Sequence, residues 1–141
     1  MTNIHYVCPH CEAVNRFDKQ RLNQQPKCGK CHLLLLTGEP VELKNDNFDK
    51  FISRNDLPVV VDFWASWCQP CQMMTPHFAK AAQALNGQYV FAKVNTEEAQ
   101  QIAARYGIRS IPTLMVFESG NEKKRVAGAM SAPQLVQWLT A

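Results

Sequence analysis

The sequence of 141 residues lacks a long apolar run, a strong excess of charge and an N-terminal export signal. Its longest purely aliphatic stretch, residues 33–36, is far shorter than the roughly 20 residues that a membrane-spanning helix needs. The first residues contain no basic segment followed by an apolar one, so we expect no secretory signal peptide. These absences predict a cytoplasmic protein without a membrane partner.

The charge balance argues against nucleic acid as the main partner. Fifteen Lys and Arg residues oppose twelve Asp and Glu residues, which leaves a net charge of only +3. Domains that bind nucleic acid usually concentrate a larger excess of basic residues on one face. We therefore expect no nucleic-acid partner, and the apolar content of 46% indicates a globular protein.

Cysteine, by contrast, is abundant, and all six cysteines occur in Cys-x-x-Cys pairs. Thiols stay reduced in the cytoplasm, so such pairs are more typical there of metal sites and catalytic sites than of structural disulfides. The three pairs are Cys8/Cys11, Cys28/Cys31 and Cys68/Cys71.

The first two pairs predict a metal site. Residues 1–40 contain too few large apolar side chains to fold without a metal or a disulfide. Sixteen residues separate the pairs, which fits a four-cysteine zinc ribbon, and four thiolates in tetrahedral geometry favour zinc over iron. We expect Gly29 to permit the second turn. The predicted ligands of one structural zinc are Cys8, Cys11, Cys28 and Cys31.

Other interpretations of these cysteines remain open at this point. They could form two disulfides or stay as free thiols. Three neighbouring histidines could also serve as ligands, although four cysteines already complete a tetrahedral shell. The histidines are His5, His10 and His32.

A turn-like break at residues 38–40 predicts a boundary between a zinc-ribbon domain over residues 1–40 and a second domain over residues 41–141. In the second domain the apolar pattern alternates between strands and helices in the order β-α-β-α-β-α-β-β-α. That order predicts an α/β fold with a parallel sheet that is covered on both faces and ends in an antiparallel hairpin. We expect the core of this domain to be self-contained.

The pattern also predicts where the elements lie. Strands are expected at 41–43, 59–64, 90–95, 113–117 and 123–127, and the longest helix at 68–85. Three shorter helices are expected, each with a capping residue at its start. The predicted caps are Asp46, Thr96 and Ser131.

The third cysteine pair follows a buried strand at the start of a helix. A helix N-terminus lowers the pKa of a thiol, and the thiolate is the nucleophile. We therefore predict that Cys68 is the exposed attacking thiolate and that Cys71, one turn inward, resolves the mixed disulfide. Pro70 suits the first helical turn, and Trp67 would place a flat apolar wall beside the sulfurs. The alternative is a pair of buried, inert cysteines.

Asp62 interrupts the apolar run of the predicted central strand. Burial disfavours an ionised carboxylate, so its pKa should be raised, which suits a group that accepts or donates a proton. The alternative is an edge position or a position that faces solvent.

The run DFWASWCQPC at residues 62–71, together with residues 93–95, 111–113 and 128–129, resembles the signature of the thioredoxin family over roughly residues 41–141. The resemblance implies the thioredoxin fold, in which helices flank a central mixed sheet. It implies a monomeric protein-disulfide reductase that acts by dithiol–disulfide exchange on client proteins. It also implies re-reduction by an NADPH-dependent thioredoxin reductase. With the predicted zinc ribbon, the chain is most similar to the branch that carries a zinc-binding N-terminal extension.

The resemblance assigns further roles. Pro112 should be a cis proline that packs against the disulfide, and Asp62 and Lys93 should serve proton transfer to and from Cys71. The residues expected to contact the substrate are Trp67, Gln69, Pro70, Ile111, Pro112 and Gly128.

One position departs from the family pattern. Gln69 stands where the family usually has glycine, and residues inside this ring tune the redox potential. A disulfide oxidase or isomerase is therefore an alternative to the reductase. A second alternative, from another class, is a zinc-dependent chaperone or adaptor that senses oxidation through its cysteines.

Overall fold

The structure, a computed structural model, describes residues 2–141. Its N-terminal part is an antiparallel hairpin of β1 (Asn3–Val7) and β2 (Val14–Asp18), which a 3-10 turn at Lys19–Asn23 follows. The predicted ribbon segment therefore contains two regular strands. No helix within residues 2–141 combines the length and the apolar character needed to cross a bilayer.

The rest of the chain builds a five-stranded sheet in the order β3-β5-β4-β6-β7. β3, β5 and β4 are parallel, whereas β6 runs antiparallel to both β4 and β7. The sheet is therefore mixed, as the family resemblance implied. The strands are β3 (Val41–Leu43), β4 (Val59–Trp64), β5 (Val90–Asn95), β6 (Thr113–Glu118) and β7 (Asn121–Ala127).

Four helices accompany this sheet: α1 (Phe48–Arg54), α2 (Gln69–Ala84), α3 (Gln100–Arg105) and α4 (Ala132–Thr140). The prediction of Ser131 as the cap of the last helix is confirmed, because its side chain accepts the Gln134 N–H in a capping box.

The predicted caps Asp46 and Thr96 are wrong. The first helix starts one residue later, with Asn47 at the cap position, and the Asn47 side chain accepts the Lys44 N–H. The third helix starts only after Ala99. In both cases a side-chain hydrogen bond within the preceding turn competes with the cap, because Asn47 Oδ1 accepts the Lys44 N–H before α1 and Asn95 Oδ1 accepts the Glu97 N–H before α3.

The two faces of the sheet pack against different helices. Alternate residues of a strand point to opposite faces. Val59, Val61 and Phe63 accordingly belong to the cluster that includes side chains of α1 and α3. Val60, one position out of phase, belongs to the cluster that includes α2 and α4. Strand β4 is therefore buried on both sides, as its continuous apolar run predicted.

The expectation that residues 41–141 have a self-contained core stays a prediction, but the structure shows that the hairpin adds to the packing of that core. Ile4, Tyr6 and Val7 of the hairpin are buried in the same cluster as Phe51 of α1 and Leu43 of β3. Residues 1–40 have few apolar side chains and do not form a core by themselves. These side chains are buried because they pack against α1 and β3. The domain boundary at residue 40 itself stays a prediction.

A buried asparagine ties the hairpin to α1. Asn55 is 1% exposed. Its Oδ1 accepts the Val7 N–H at 2.9 Å, and its Nδ2 donates to the Phe51 carbonyl at 2.9 Å. Beside it, the His5 N–H donates to Asp56 Oδ2 at 2.7 Å, and the Asp56 N–H donates to the His5 carbonyl at 3.1 Å. Backbone polar groups of both parts thus depend on this junction.

We predict that Asn55→Ala lowers the free energy of unfolding of the full chain by about 2–3 kcal/mol, because it leaves the Val7 N–H buried without its acceptor. Urea unfolding measures the loss. The matched control is Asn45→Ala, since Asn45 is exposed, and it should change stability by less than about 0.5 kcal/mol. Equal losses in the two variants would contradict the role of Asn55.

Candidate active site and metal centre

Cys68 and Cys71 form a disulfide at the start of α2, where β4 delivers the chain. Cys68 occupies the N-cap position, and its Sγ accepts the Cys71 N–H at 3.2 Å. An unpaired helical N–H aimed at sulfur stabilises a thiolate there after reduction. The prediction of a cysteine pair between a buried strand and a helix is confirmed.

The expected exposure of Cys68 is wrong for this disulfide-bonded state. Cys68 is 4% exposed and Cys71 is 2% exposed. Both pack with Ala65, and Ile111 covers the cluster, so that Cys68 Sγ lies 3.7 Å from the Ile111 carbonyl oxygen. The polypeptide around the disulfide, rather than a protruding sulfur, must therefore guide a substrate into place.

That surrounding surface is apolar and open. Trp67 is 72% exposed and Met73 is 67% exposed. Large apolar side chains with this exposure often mark a binding surface when they cluster around a reactive group. Gln69 and Pro70, between the two cysteines, are also exposed. The residues of this loop that the sequence analysis assigns to substrate contact, Trp67, Gln69 and Pro70, thus all lie at the surface, and their contact with a substrate stays a prediction.

The cis-proline loop meets the disulfide from another part of the chain. The Ile111–Pro112 peptide bond is cis, as the resemblance implied. The Gly128 N–H donates to the Pro112 carbonyl at 2.9 Å, which holds the two segments together. Gly128 has φ +110°, a conformation that a residue with a side chain adopts only with strain. The fold therefore brings Ile111, Pro112 and Gly128 to the site.

Three residues that the sequence analysis missed, Ser66, Gln72 and Glu97, position the active-site loop. The N–H and the hydroxyl of Ser66 donate to Glu97 Oε1 at 3.1 and 2.8 Å. The Gln72 side chain donates to the Ser66 carbonyl at 3.1 Å, which links the loop to α2. Ser66 and Glu97 are 31 positions apart, and no local pattern in the sequence pairs them.

Asp62 is buried in the centre of the sheet. It is 1% exposed, and its Oδ1 has no hydrogen-bond partner among residues 2–141. Burial raises the pKa of Asp62 to about 7, although Lys93 acts in the opposite direction. The prediction of a buried carboxylate with a raised pKa is confirmed, and the edge position is excluded.

Lys93 lies beside Asp62, because the two residues are in register on neighbouring strands. The Lys93 ammonium lies 4.6 Å from the centre of the Trp64 ring, a cation–π geometry. Asp62 and Trp64 alternate with Phe63, so both face the side of the sheet on which α2 packs. The structure therefore brings Lys93 and Asp62 together on the face below the helix that contains Cys71.

The other four cysteines form one compact cluster. Their Sγ atoms all lie within 4.8 Å of one another, and the pairs Cys8–Cys31 and Cys11–Cys28 are each separated by 3.6 Å. Four sulfurs at the corners of a tetrahedron around zinc lie about 3.8 Å apart when each bond is about 2.3 Å. The donor set and its spacing therefore fit a tetrahedral metal ion, which favours a metal site over two disulfides.

The two halves of the cluster repeat one backbone conformation. The Cys8 N–H donates to the Ala13 carbonyl, and the Cys28 N–H donates to the Leu33 carbonyl, each at 2.9 Å. In each turn an N–H two residues after the first cysteine donates to its sulfur, from His10 at 3.4 Å and from Lys30 at 3.3 Å. Donors of this kind stabilise metal-bound thiolates.

The left-handed residues of these turns are Glu12, with φ +66°, and His32, with φ +67°. The expectation that Gly29 permits the second turn is therefore wrong, because Gly29 does not have positive φ. Two of the three neighbouring histidines are engaged elsewhere: the His10 ring bonds to the Leu34 carbonyl at 3.0 Å, and the His5 ring contacts Asp56. The third, His32, does not belong to the cluster of possible ligand atoms.

The protonation of the cluster also favours a cation. Hydrogen bonds from the Cys31 N–H, the Asn15 side chain and the Lys30 N–H lower the pKa of Cys28 to about 5. Burial has the opposite effect on Cys8 and raises its pKa to about 12. The hydrogen bonds to Cys28 thus favour a thiolate in the cluster, which is the form that binds a metal ion.

The two cysteine sites thus have separate chemistry. A disulfide that closes at a helix N-terminus, under an open apolar surface, defines a thiol–disulfide oxidoreductase. A family model described as Thioredoxin matches residues 39–141, and one described as Thioredoxin 2, N-terminal matches residues 7–32. The chain belongs to the thioredoxin family, and its N-terminal segment is a zinc-ribbon segment of the thioredoxin-2 type.

Curated relatives agree with this membership. Thioredoxin C-3 of Corynebacterium nephridii is 47% identical over 133 residues, which cover 94% of this chain and 91% of that protein. Thioredoxin 1 of Nostoc sp. is 44% identical over 98 residues, 70% of this chain and 92% of that protein. Thioredoxin of Rickettsia bellii is 40% identical over 93 residues, 66% of this chain and 89% of that protein. The first alignment is longer than residues 41–141, so it extends into the ribbon segment.

The buried Asp62 carboxyl predicts a pH-dependent cost in stability. Its pKa rises from the ordinary 3.8 to about 7 on folding. The folded state therefore holds this proton more tightly, so the contribution to stability is complete below pH 4 and disappears as the pH rises through 7. Asp62→Asn removes the carboxyl group and with it this loss of stability at high pH. We expect the variant to be about as stable as the parent at pH 4 but more stable by up to about 4 kcal/mol at pH 8.

Urea unfolding of the oxidised protein at several pH values measures this difference. The matched control is Asp46→Asn, since Asp46 is exposed and the same charge is removed at the surface. A stability difference between Asp62→Asn and the parent that does not change between pH 4 and 8 would rule out a strongly raised pKa.

Proposed function

We propose that this chain is a cytoplasmic, monomeric protein-disulfide reductase in which Cys68 attacks and Cys71 resolves. The observation that supports this assignment is the position of Cys68 at the N-cap of α2, where its sulfur accepts the Cys71 N–H. A thiolate at that position is stabilised by the helix N-terminus. Cys71 lies one turn into the helix, so we assign the attack on a client disulfide to Cys68 at the helix start.

The exchange proceeds in two steps. The Cys68 thiolate attacks one sulfur of a client disulfide, forms a mixed disulfide and releases the other client sulfur as a thiolate. The Cys71 thiolate then attacks the Cys68 sulfur, which breaks the mixed disulfide and releases the second client thiolate. Two electrons pass to the client, and the chain is left with the Cys68–Cys71 disulfide that the structure contains.

Asp62 is the group that we assign to proton transfer with Cys71. Cys71 must lose its proton before it can attack, and a carboxylate with a pKa of about 7 accepts a proton readily at neutral pH. Asp62 lies on the sheet face covered by α2, and its Oδ1 is free to accept, since no residue within 2–141 bonds to it. Lys93 stabilises the charged form of Asp62.

Clients bind across the surface around the disulfide. Trp67 and Met73 offer exposed apolar area, and the loop that contains the cis proline offers backbone groups beside Cys68. The residues that contact the client are Trp67, Gln69, Pro70, Ile111, Pro112 and Gly128. We assign re-reduction of the Cys68–Cys71 disulfide to an NADPH-dependent thioredoxin reductase, because the relatives that match over this region are named thioredoxins.

The metal that we assign to the N-terminal cluster is zinc. The four sulfurs match its preferred donors and geometry, and their free, unpaired state suits a reducing compartment such as the cytoplasm. Bound zinc would cross-link the turn that joins β1 to β2 with the later turn at residues 28–33. Because this hairpin packs against α1, the cross-link supports part of the shared core.

We expect Cys68→Ser to abolish the reduction of insulin disulfides, because it removes the attacking sulfur. Cys71→Ser should also lose turnover but should accumulate a mixed disulfide with the client, detectable by mass spectrometry under non-reducing conditions. Full turnover by Cys68→Ser, or a mixed disulfide trapped by Cys68→Ser rather than by Cys71→Ser, would reverse or remove the assigned roles.

Elemental analysis of the purified reduced chain should find one zinc per chain. Cys8→Ser and Cys28→Ser should each reduce the zinc content sharply, because a tetrahedral site then lacks one thiolate. Two matched controls should keep full zinc content: Cys68→Ser, which changes a cysteine outside the cluster, and His10→Ala, which removes a neighbouring histidine. A metal-free parent, or equal loss in the controls, would contradict the zinc site.

A further inference from the structure

Three charged residues form a row across three adjacent strands. Glu42 on β3 is in register with Lys93 on β5, and Lys93 is in register with Asp62 on β4. Neighbouring strands lie about 4.8 Å apart, so Glu42 and Asp62 are separated by roughly 10 Å with Lys93 between them. Residues in register on parallel strands point to the same face of the sheet. Lys93 is therefore flanked by a carboxyl group on either side.

This row lies on the face of the sheet that α2 covers. Val60 and Phe91 belong to the cluster that contains side chains of α2. Asp62 and Lys93 follow them by two positions in the same strands, so they share that face. The helix above is the one that contains Cys71. The charged row thus extends from the edge of the sheet to the region below the active site.

The carboxyl group of Glu42 is affected by its neighbours more strongly than an ordinary surface carboxylate is. Partial burial raises the pKa of Glu42, while Lys93 on β5 opposes that change. The indole N–H of Trp64 on β4 is buried and makes no hydrogen bond within residues 2–141. Two more charges face Glu42: Glu98, after β5, raises its pKa further, and Lys44, just beyond its own strand, lowers it.

Lys93 therefore interacts with two carboxyl groups of different accessibility. Its ammonium favours the charged form of Asp62, whereas the negative charge of Glu42 disfavours it. Glu42 itself is exposed at the edge strand, whereas Asp62 is 1% exposed. Glu42, at the surface, and Lys93, on the strand between the two carboxyl groups, thus act on the charge of Asp62 in opposite directions.

We propose that Glu42 is a positioning residue that, through Lys93, sets the pH at which Asp62 changes charge. This inference rests on the proposed role of Asp62 in proton transfer with Cys71. With Glu42 ionised, part of the field of Lys93 is offset, and Asp62 stays able to take up a proton near neutral pH. Without the charge of Glu42, Lys93 would keep Asp62 ionised down to a lower pH. Asp62 would then be a weaker base and would accept the Cys71 proton less readily.

The test follows the carboxyl carbon of Asp62 by NMR between pH 4 and 10 in the oxidised full chain. Glu42→Gln should lower the titration midpoint of Asp62 by about 0.3–1 pH unit at low ionic strength, and added salt should reduce the shift because part of the path is solvent-exposed. Lys93→Met should move the midpoint in the opposite direction. The matched control, Glu39→Gln, removes the same charge from an exposed position nearby and should leave the midpoint unchanged.

Two further variants separate electrostatics from damage to the fold and from the proposed catalytic role. Glu42→Asp keeps the charge and should restore most of the parent midpoint. A midpoint in Glu42→Gln that equals that of Glu39→Gln, or lies above the parent, overturns the proposal. Insulin reduction by Asp62→Asn tests the catalytic role separately: an unchanged rate would remove Asp62 from the mechanism and leave the Glu42 titration result standing.

Discussion

The structure depends on the complete burial of strand β4. Its residues from Val59 to Phe63 have almost no exposure, because helices pack on both faces and strands lie on both edges. Because other elements pack against both faces and both edges of β4, the position of its C-terminal end is fixed. The chain continues from there to the N-terminus of α2. The same burial therefore positions the reactive cysteine pair and removes water from Asp62.

The ribbon extends this packing rather than standing apart from it. Its hairpin contributes Ile4, Tyr6 and Val7 to the cluster on the α1 side, and Asn55 satisfies the Val7 N–H there. The disulfide and Asp62 lie toward the opposite face and the end of β4. A metal at the cysteine cluster would consequently act on the stability of the α1 side of the core, not as a participant in disulfide exchange.

Much of the fold and of the site could be predicted from sequence because the signals are local. Strand β4, the start of α2 and the Ser131 cap each depend on neighbouring residues, and the two cysteine motifs each depend on short spacing. The misplaced caps at Asp46 and Thr96 and the role given to Gly29 are local errors. The remaining errors arose where distant residues decide the outcome. The burial of Ile4 requires α1, the anchoring of Ser66 requires Glu97, and the cover over Cys68 requires Ile111. None of these pairs leaves a pattern within one segment.

Asp62 illustrates how stability and chemistry oppose each other in this fold. An apolar residue at its position would complete the buried face between Val60 and Trp64, whereas the carboxyl group leaves one oxygen without a partner and must lose charge or lower stability. Lys93 relieves part of this cost, but a stronger ion pair would fix the charge and end proton exchange. A cation shared with Glu42 meets both requirements, since it stabilises the buried carboxylate only partly and keeps both protonation states accessible near neutral pH.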